Sequence, residues 1–483
     1  MNRKLIIQIV GKMLFAEALL MCLPLFVSII YCEWDSVFIF SLVALFLAGI
    51  SLPAVLMKVR DRTIYAKEGL FVVIMTWVLL SLGGSMPFYL GGWIPKFVDA
   101  FFETVSGFTT TGATVLSQIE GLPYGVLFWR SFTHWIGGMG VLLFVMAVVP
   151  VSENHSIHIM RAELTGPSVG KLVPKGMLTA KILYGIYLAL TLLEAILLYA
   201  GGMSVYDSII HAFSTAGTGG FSNKNASIAH FDSAYIDWVI TVFMLLFSIN
   251  FNMFYFLLIR KFSAIRQNSE WKVFFGIVAA ATIGIMFFIY PEYNSLLLSF
   301  RYSAFQVASC ISTTGFITAD FDQWHEAAEC ILLLVMIIGA CAGSTGGGLK
   351  VIRLQVLWKA MVNEIRKMIH PQTVTRLKMD GKGLETDIVH STLVYLVLLL
   401  GLFIISVFLV AIDGRGMETT LSAVLSCINN VGPGLAEVGP VMNYGGLSVL
   451  SKWVLCADML LGRLEIYPVL LLFSPNIWRR KFM

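Results

Sequence analysis

Ser309-Cys310-Ile311-Ser312-Thr313-Thr314-Gly315-Phe316 is a Ser/Thr/Gly-rich break between two apolar runs. In a hydrocarbon layer, non-helical backbone survives only where protein shields it or where it lines a watery cavity, because an unpaired N–H or C=O facing lipid is costly. If this loop lines a cavity, its carbonyls become ligands. The pattern recurs at Phe108-Thr109-Thr110-Thr111-Gly112, Phe213-Ser214-Thr215-Ala216-Gly217 and Ile428-Asn429-Asn430-Val431-Gly432, which align with Ile311-Ser312-Thr313-Thr314-Gly315 without a gap. The four glycines lie 105, 98 and 117 residues apart, so one unit is used four times. A fixed period of this kind is read before any local signal.

Composition fixes the surroundings of these loops. Of 483 residues, 58% are apolar and 13% charged, against about 25% charged in soluble proteins. The chain is therefore expected to be an all-α polytopic membrane protein. Met1-Asn2-Arg3-Lys4 precedes an apolar stretch with no A-x-A-like site after it, so the first helix is expected to stay. The seven cysteines form no C-x-x-C pair and read as small buried hydrophobes. His155 and His158 have no further ligand near them and read as a solvated loop. A net charge of +4 is no argument for nucleic acid, because the basic residues have a better use in setting topology. Neither an H-E-x-x-H nor a G-x-S-x-G context is present, which disfavours an intramembrane hydrolase, and no Walker A or Rossmann fingerprint appears.

Along the chain, spanning candidates fall near 5–31 and 36–57, and each of four repeats then reads as spanning helix, short apolar segment, polar loop and second spanning helix. First helices are expected near 68–92, 178–200, 271–290 and 387–412, short segments near 97–109, 204–214, 297–311 and 417–428, and second helices near 122–150, 234–260, 326–352 and 447–474. Some 10–14 residues cannot cross a core of about 30 Å, so the short segments are predicted to be re-entrant. The division expected is two extra N-terminal helices in 1–60, then repeats in 61–160, 161–265, 266–382 and 383–483. Of the 33 Lys and Arg residues, 25 fall in 1–4, 58–67, 161–181, 260–272, 350–382 and the tail Arg479-Arg480-Lys481. Lys96, Lys224, Arg301 and Arg415 are all that the opposite side holds outside the spans. The positive-inside rule then puts both termini in the cytoplasm, and the short helices dip from outside.

Four re-entrant loops around a pseudo-fourfold axis can stack rings of carbonyls at the spacing an ion needs to exchange its water shell. Glycine lets those carbonyls turn inward where a Cβ would oppose them. The residues before each glycine differ between repeats: Thr110-Thr111, Thr215-Ala216, Thr313-Thr314 and Asn430-Val431. Side-chain ligands would be expected to match, so the backbone is read as the coordinating group. With no acidic ring, a monovalent cation is favoured over calcium or magnesium. The alternative is that the loops are only helix breaks in a transporter core.

Two further features stand out. Gly339-Ala340-Cys341-Ala342-Gly343-Ser344-Thr345-Gly346-Gly347-Gly348 should break the second helix of repeat three, since glycine costs about 1 kcal/mol relative to Ala in a helix interior. The residues read as a mobile break, or else as a tight packing surface. Arg463 lies within the last apolar run, where a lone charge requires a cavity or a partner such as Asp458 or Glu465. Arg130 and His134 read as packing or snorkelling residues near the outer end.

Four such units, a filter glycine in each and two extra N-terminal helices resemble the TrkH branch of the Trk/Ktr/HKT potassium transporter superfamily, over essentially the whole chain. Thr109 to Thr114, Ser214 to Gly220, Ser312 to Phe316 and Asn429 to Gly434 are similar to that family's four filters. The resemblance implies K+ as the transported ion. In plant relatives a serine at the first filter glycine accompanies sodium preference, and this chain has Gly112 there. It further implies that Gly343, Ser344, Thr345, Gly346, Gly347 and Gly348 form an intramembrane gate loop and that Arg463 contacts it beside the pore. It implies a homodimer in the bacterial inner membrane, working with a cytosolic TrkA-like nucleotide-binding ring at the basic segment Lys350 to Lys382. H+- or Na+-coupled symport is the competing expectation, with Glu17, Glu194 and Asp458 as its intramembrane carboxylates; a less selective monovalent cation channel is the other.

Overall fold

Capping begins at the first turn, where Asn2 accepts the Leu5 N–H at 3.3 Å and starts α1 (Arg3–Leu20), which continues almost unbroken into α2 (Cys22–Ile30) before α3 (Trp34–Leu56) returns. The computed structural model describes residues 2–59, 66–140, 176–370, 377–380, 382–384, 386–464 and 466. The tail basic residues, His155 and His158, most of the basic segment 161–181 and the distal part of the second helix of repeat one lie outside the described residues.

Repeat one is α4 (Ala66–Leu90), α5 (Phe97–Phe108) and α6 (Tyr124–Gly138). The acidic turn between α2 and α3 has a structural use: the Glu33 carboxylate accepts the N–H groups of Tyr124 and Gly125 at 2.6 and 3.0 Å, capping α6. Repeat two is α7 (Gly176–Ala200), α8 (Val205–Gly217), α9 (Ala234–Phe247) and α10 (Phe251–Leu258). After the short α11 (Phe262–Gln267), repeat three is α12 (Glu270–Tyr293), α13 (Leu296–Ile311), α14 (Glu326–Ile338) and α15 (Val351–Ile369). Repeat four is α16 (Thr386–Ala411), α17 (Met417–Ile428) and α18 (Val449–Leu464). The exception to an all-helical chain among the described residues is a small antiparallel ladder, Lys378–Met379 against Lys382–Gly383.

The first and short helices lie where the apolar runs place them, but three second helices do not run as expected, the first of them, expected over 122–150, already ending at Gly138. A bend of 90° separates α9 from α10. The expected span 326–352 stops at Ile338, and residues 339–350 carry no helix. Thirteen residues of α14 are too few to cross a bilayer alone. Six helices among the described residues are long and apolar enough to span, or up to seven counting the bent pair.

Burial is inverted relative to a soluble protein. Large apolar side chains such as Leu45, Phe287 and Phe408 are more than 70% exposed, whereas Ser106, Ser214, Thr313 and Ser426 are buried. That is the arrangement of a chain whose solvent is lipid and whose polar interior surrounds an axis. Packing closes the repeats into a ring: α6 lies against α8, α9 against α13, α14 against α17, and α18 returns to α5. Each second helix thus supports the short helix of the next repeat.

Candidate functional site: four helix ends on one axis

The C-terminal ends of α5, α8, α13 and α17 share one geometry. Thr110, Thr218, Thr313 and Asn430 adopt left-handed φ values of +58°, +55°, +59° and +55°. The residue after each returns its N–H to the carbonyl five positions earlier: Thr111 to Ser106, Gly219 to Ser214, Thr314 to Ser309 and Val431 to Ser426, at 2.8–2.9 Å. These are Schellman-type ends, which satisfy the last helical carbonyls and throw the chain out extended. The extended residues carry the glycines: Gly112, Gly220, Gly315 and Gly432, with φ of +82°, +76°, +81° and +104°.

The second repeat therefore differs from its sequence alignment by three residues. Gly217 is the last residue of α8, packed against the backbone of His134. Thr215 lies inside that helix with its hydroxyl donated to the His211 carbonyl at 2.8 Å, and Ala216 is buried beside it. Thr218-Gly219-Gly220 occupies the place that Thr215-Ala216-Gly217 was expected to hold.

With that register, the loops form a cycle. A methyl placed on Gly112 would meet the carbonyl oxygen of Gly219, one on Gly220 that of Thr314, one on Gly315 that of Val431, and one on Gly432 that of Thr111. The four peptide oxygens preceding the glycines thus alternate with the four glycine α-carbons around one axis, and a single cavity touches all four glycines. Side chains tie the ring to its frame. The Thr111 hydroxyl meets that of Thr109 at 2.8 Å and accepts from Asn430 Nδ2 at 2.9 Å, and Thr314 meets Ser312 at 2.6 Å. Tyr444 donates its hydroxyl to the Gly432 carbonyl at 2.7 Å.

Nine residues before the glycine, a polar side chain holds the strand that leaves the loop. Glu103 accepts from the Thr114 hydroxyl and the Val115 N–H, both at 2.9 Å. His211 Nε2 meets the Ser222 hydroxyl at 2.9 Å, and Gln306 donates to the Ala319 carbonyl at 3.3 Å. In repeat four the neighbouring Ser422 accepts the Leu435 N–H at 2.9 Å. Arg130 is buried, not snorkelling. It pairs with Glu103 at 2.6 Å, donates to the Ser222 carbonyl at 2.9 Å and lies over the Phe221 ring, joining the first and second loops. His134 is buried too, with Nδ1 2.8 Å from the Gly107 carbonyl. Sequence reading missed Glu103 and Arg130 as a pair, although two opposite charges in adjacent apolar segments were the available signal.

The glycine-rich break lies against this ring. Gly347 donates its N–H to the Thr313 hydroxyl at 2.7 Å, and a methyl on Gly346 would meet the Ser312 carbonyl. Carbonyls freed by the bend after α9 hold the other side: Phe247 O accepts from Thr345 N–H at 3.3 Å and Ser248 O from Cys341 N–H at 3.0 Å. Gly343 returns its carbonyl to the Phe251 N–H at 3.0 Å, and Lys350 Nζ reaches the Gly346 carbonyl. Ser344 closes a local turn with its hydroxyl on the Cys341 carbonyl at 2.6 Å, and Gly348 has φ of +79°. Arg463 donates to Thr345 O at 2.7 Å and to the last carbonyls of α6, Gly137 O and Gly138 O, the latter at 2.8 Å. It forms no ion pair with Asp458: its guanidinium is turned to these carbonyls, and Asp458 takes the Ser406 hydroxyl at 2.7 Å; Glu465 lies outside the described residues.

Comparison with known proteins agrees with this geometry. Residues 36–480 match the TrkH family, described as a cation transport protein. The chain is similar to the Trk system potassium uptake protein TrkH of Salmonella typhimurium, 33% identical over 488 residues, covering 99% of this chain and 100% of that one. The protein of the same description from Escherichia coli K12 is 36% identical over 422 residues, 86% of each chain. The crystal structure of the potassium transporter TrkH from Vibrio parahaemolyticus superposes with a TM-score of 0.88 at 32% identity, over 99% of this chain and 100% of that one.

Proposed function

The chain belongs to the TrkH family of cation transport proteins, and from that premise we propose that it takes up K+ by channel-like conduction along the axis of its four repeats. The observation that carries this reading is the cycle of peptide oxygens at Thr111, Gly219, Thr314 and Val431, each opposed to the glycine of the neighbouring repeat. A dehydrated alkali cation on that axis would exchange its water shell for carbonyl dipoles, and the absence of carboxylates from the ring suits a single positive charge. The helix ends of α5, α8, α13 and α17 point their negative dipole poles at the same place. The filter set we assign is Thr110, Thr111, Gly112, Thr218, Gly219, Gly220, Thr313, Thr314, Gly315, Asn430, Val431 and Gly432.

Residues 343–348 are the gate in this reading, and Arg463 is its clasp. The loop is held by hydrogen bonds to Thr313, Phe247, Phe251, Lys350 and Arg463, each worth about 1–3 kcal/mol net, so its release calls for a directed push from outside the loop. We assign the push to a cytosolic TrkA-like nucleotide-binding ring at the Lys350 to Lys382 segment, and place a homodimer of the chain in the inner membrane with both termini cytoplasmic. The relatives are named as members of a Trk system, which supports a multi-component assembly.

Rubidium uptake by liposomes containing the purified protein tests this reading. Flux that needs no second ion, falls when Na+ replaces K+, and rises with the cytosolic partner is the expected result. A second reading, H+-coupled symport, draws on the buried Glu17, whose carboxylate has no hydrogen-bond partner among the described residues, and on the buried Glu194, which faces the Thr215 hydroxyl. It requires uptake to follow an imposed pH gradient.

A further inference from the structure

We propose that Glu270 is a positioning residue for the gate loop and that Asp380 sets its grip, so that the Lys378–Gly383 ladder is the handle through which the cytoplasmic surface moves the loop. This rests on the reading of residues 343–348 as a gate, but on none of the filter contacts.

Glu270 opens α12 and is buried. Its Oε1 accepts the Ala342 N–H at 2.7 Å, and the same carboxylate faces the backbone N–H of Ile352 in the first turn of α15. Ala342 and Ile352 are the two feet of the loop, so one carboxylate grips the chain where it leaves and where it returns. A buried carboxylate that accepts one amide N–H and faces a second holds the chain more firmly than a neutral acceptor would. Nothing in the loop's own sequence, which is mostly glycine, supplies such a constraint.

What fixes Glu270 lies one residue earlier. Asp380, at the turn of the ladder, accepts both the Ser269 N–H at 2.9 Å and the Ser269 hydroxyl at 2.7 Å. A carboxylate at that position also complements the N-terminal pole of α12. Gln355 of α15 donates to the Ser269 carbonyl at 3.2 Å, and Lys359 of the same helix donates to the Lys378 carbonyl at 2.9 Å. The ladder, the start of α12 and the start of α15 therefore meet at Ser269–Glu270, next to the gate foot. A pull on the ladder withdraws Asp380 from α12, and the helix end carrying Glu270 loses one of its anchors, keeping those from Asn268 and Gln355.

Coupling of this kind is established by a double-mutant cycle, not by contact alone. Full-length protein in liposomes is assayed for basal rubidium uptake per inserted molecule, without any partner, as wild type, Glu270→Ala, Asp380→Ala and the double variant, with Arg463→Ala as the reference for an unclasped gate. Glu270→Ala and Asp380→Ala are each expected to raise basal uptake at least about tenfold, the factor that a single charge-assisted hydrogen bond is worth. The double variant is expected to conduct no more than the stronger single one. Glu270→Gln, which keeps an acceptor, should stay closer to wild type and covers the case in which Glu270→Ala does not fold. Singles that leave uptake at the wild-type level while Arg463→Ala raises it overturn the proposal, as do effects that multiply in the double variant. If no variant conducts, Arg463→Ala included, the gate reading itself fails and this proposal falls with it.

Discussion

A methyl group on any of the four filter glycines has no place to go. At φ near +80° an L side chain costs about 1–2 kcal/mol, and the added carbon would also meet the carbonyl of the next repeat. Substituting Gly112 or Gly220 by Ser should therefore push a ring oxygen off the axis and lower the K+/Na+ permeability ratio roughly tenfold. Bi-ionic flux in liposomes measures this, and an unchanged ratio at Gly220 would return the second filter to Gly217. Buried charge decides a separate prediction. Arg130→Ala strands Glu103 in the interior, which costs about 3–5 kcal/mol, and should show as a large fall in thermal unfolding temperature in detergent. Replacing both, Glu103→Leu with Arg130→Met, should recover most of that stability. Discrimination should stay impaired, because Thr114 and Val115 lose the acceptor that holds the first exit strand.

At the scale of elements, length and composition made most of the chain legible. The short segment expected at 417–428 is the helix Met417–Ile428, which starts after Gly416, and that expected at 297–311 is Leu296–Ile311, capped by Ser295; a glycine loop follows each apolar run. The register of the second loop was not legible, since Thr215-Ala216-Gly217 and Thr218-Gly219-Gly220 both read as small residues ending in glycine. The discriminating signal is the serine six positions before each glycine of the ring, at 106, 214, 309 and 426. Its backbone carbonyl receives the end-of-helix hydrogen bond, and it is a mark of three-dimensional equivalence that local pattern does not rank. The bend after α9 was hidden for another reason: Ser248-Ile249-Asn250 scarcely interrupts an apolar run. What stabilises the bend is distant in sequence, the Cys341 and Thr345 N–H groups that take up the freed carbonyls. Broken helix and broken gate segment are thus one unit, each satisfying the other's backbone. Deleting Gly346 to Gly348 should dismantle that unit, unseat the contact to Thr313 and raise basal flux several-fold in folded protein. Flux that stays level or falls would show that the loop does not obstruct conduction.

At the scale of the molecule, two independent asymmetries must agree. Packing closes the repeats in the order one, two, three, four, one, with α18 returning to α5, and this puts all four short helices on the same side of the ring they end on. The basic residues are sorted in the other direction: Arg260, Lys261, Arg266 and Lys272 near the start of α12, and Lys359, Arg366 and Lys367 on α15, lie at the ends remote from the short helices. In the orientation we propose, positive charge marks the cytoplasmic face, and a cation would meet the carbonyl ring before residues 343–348. Cysteine labelling tests this order. In a background lacking the exposed Cys22, Cys32 and Cys330, a cysteine at exposed Ala226, just beyond the second filter, should react in intact cells with a membrane-impermeant maleimide. A cysteine at exposed Arg366 on α15 should react only after the cells are permeabilised. Labelling of Arg366→Cys from outside, with Ala226→Cys protected, would invert the chain. The gate would then face the medium, and the basic segment could not receive a cytosolic partner.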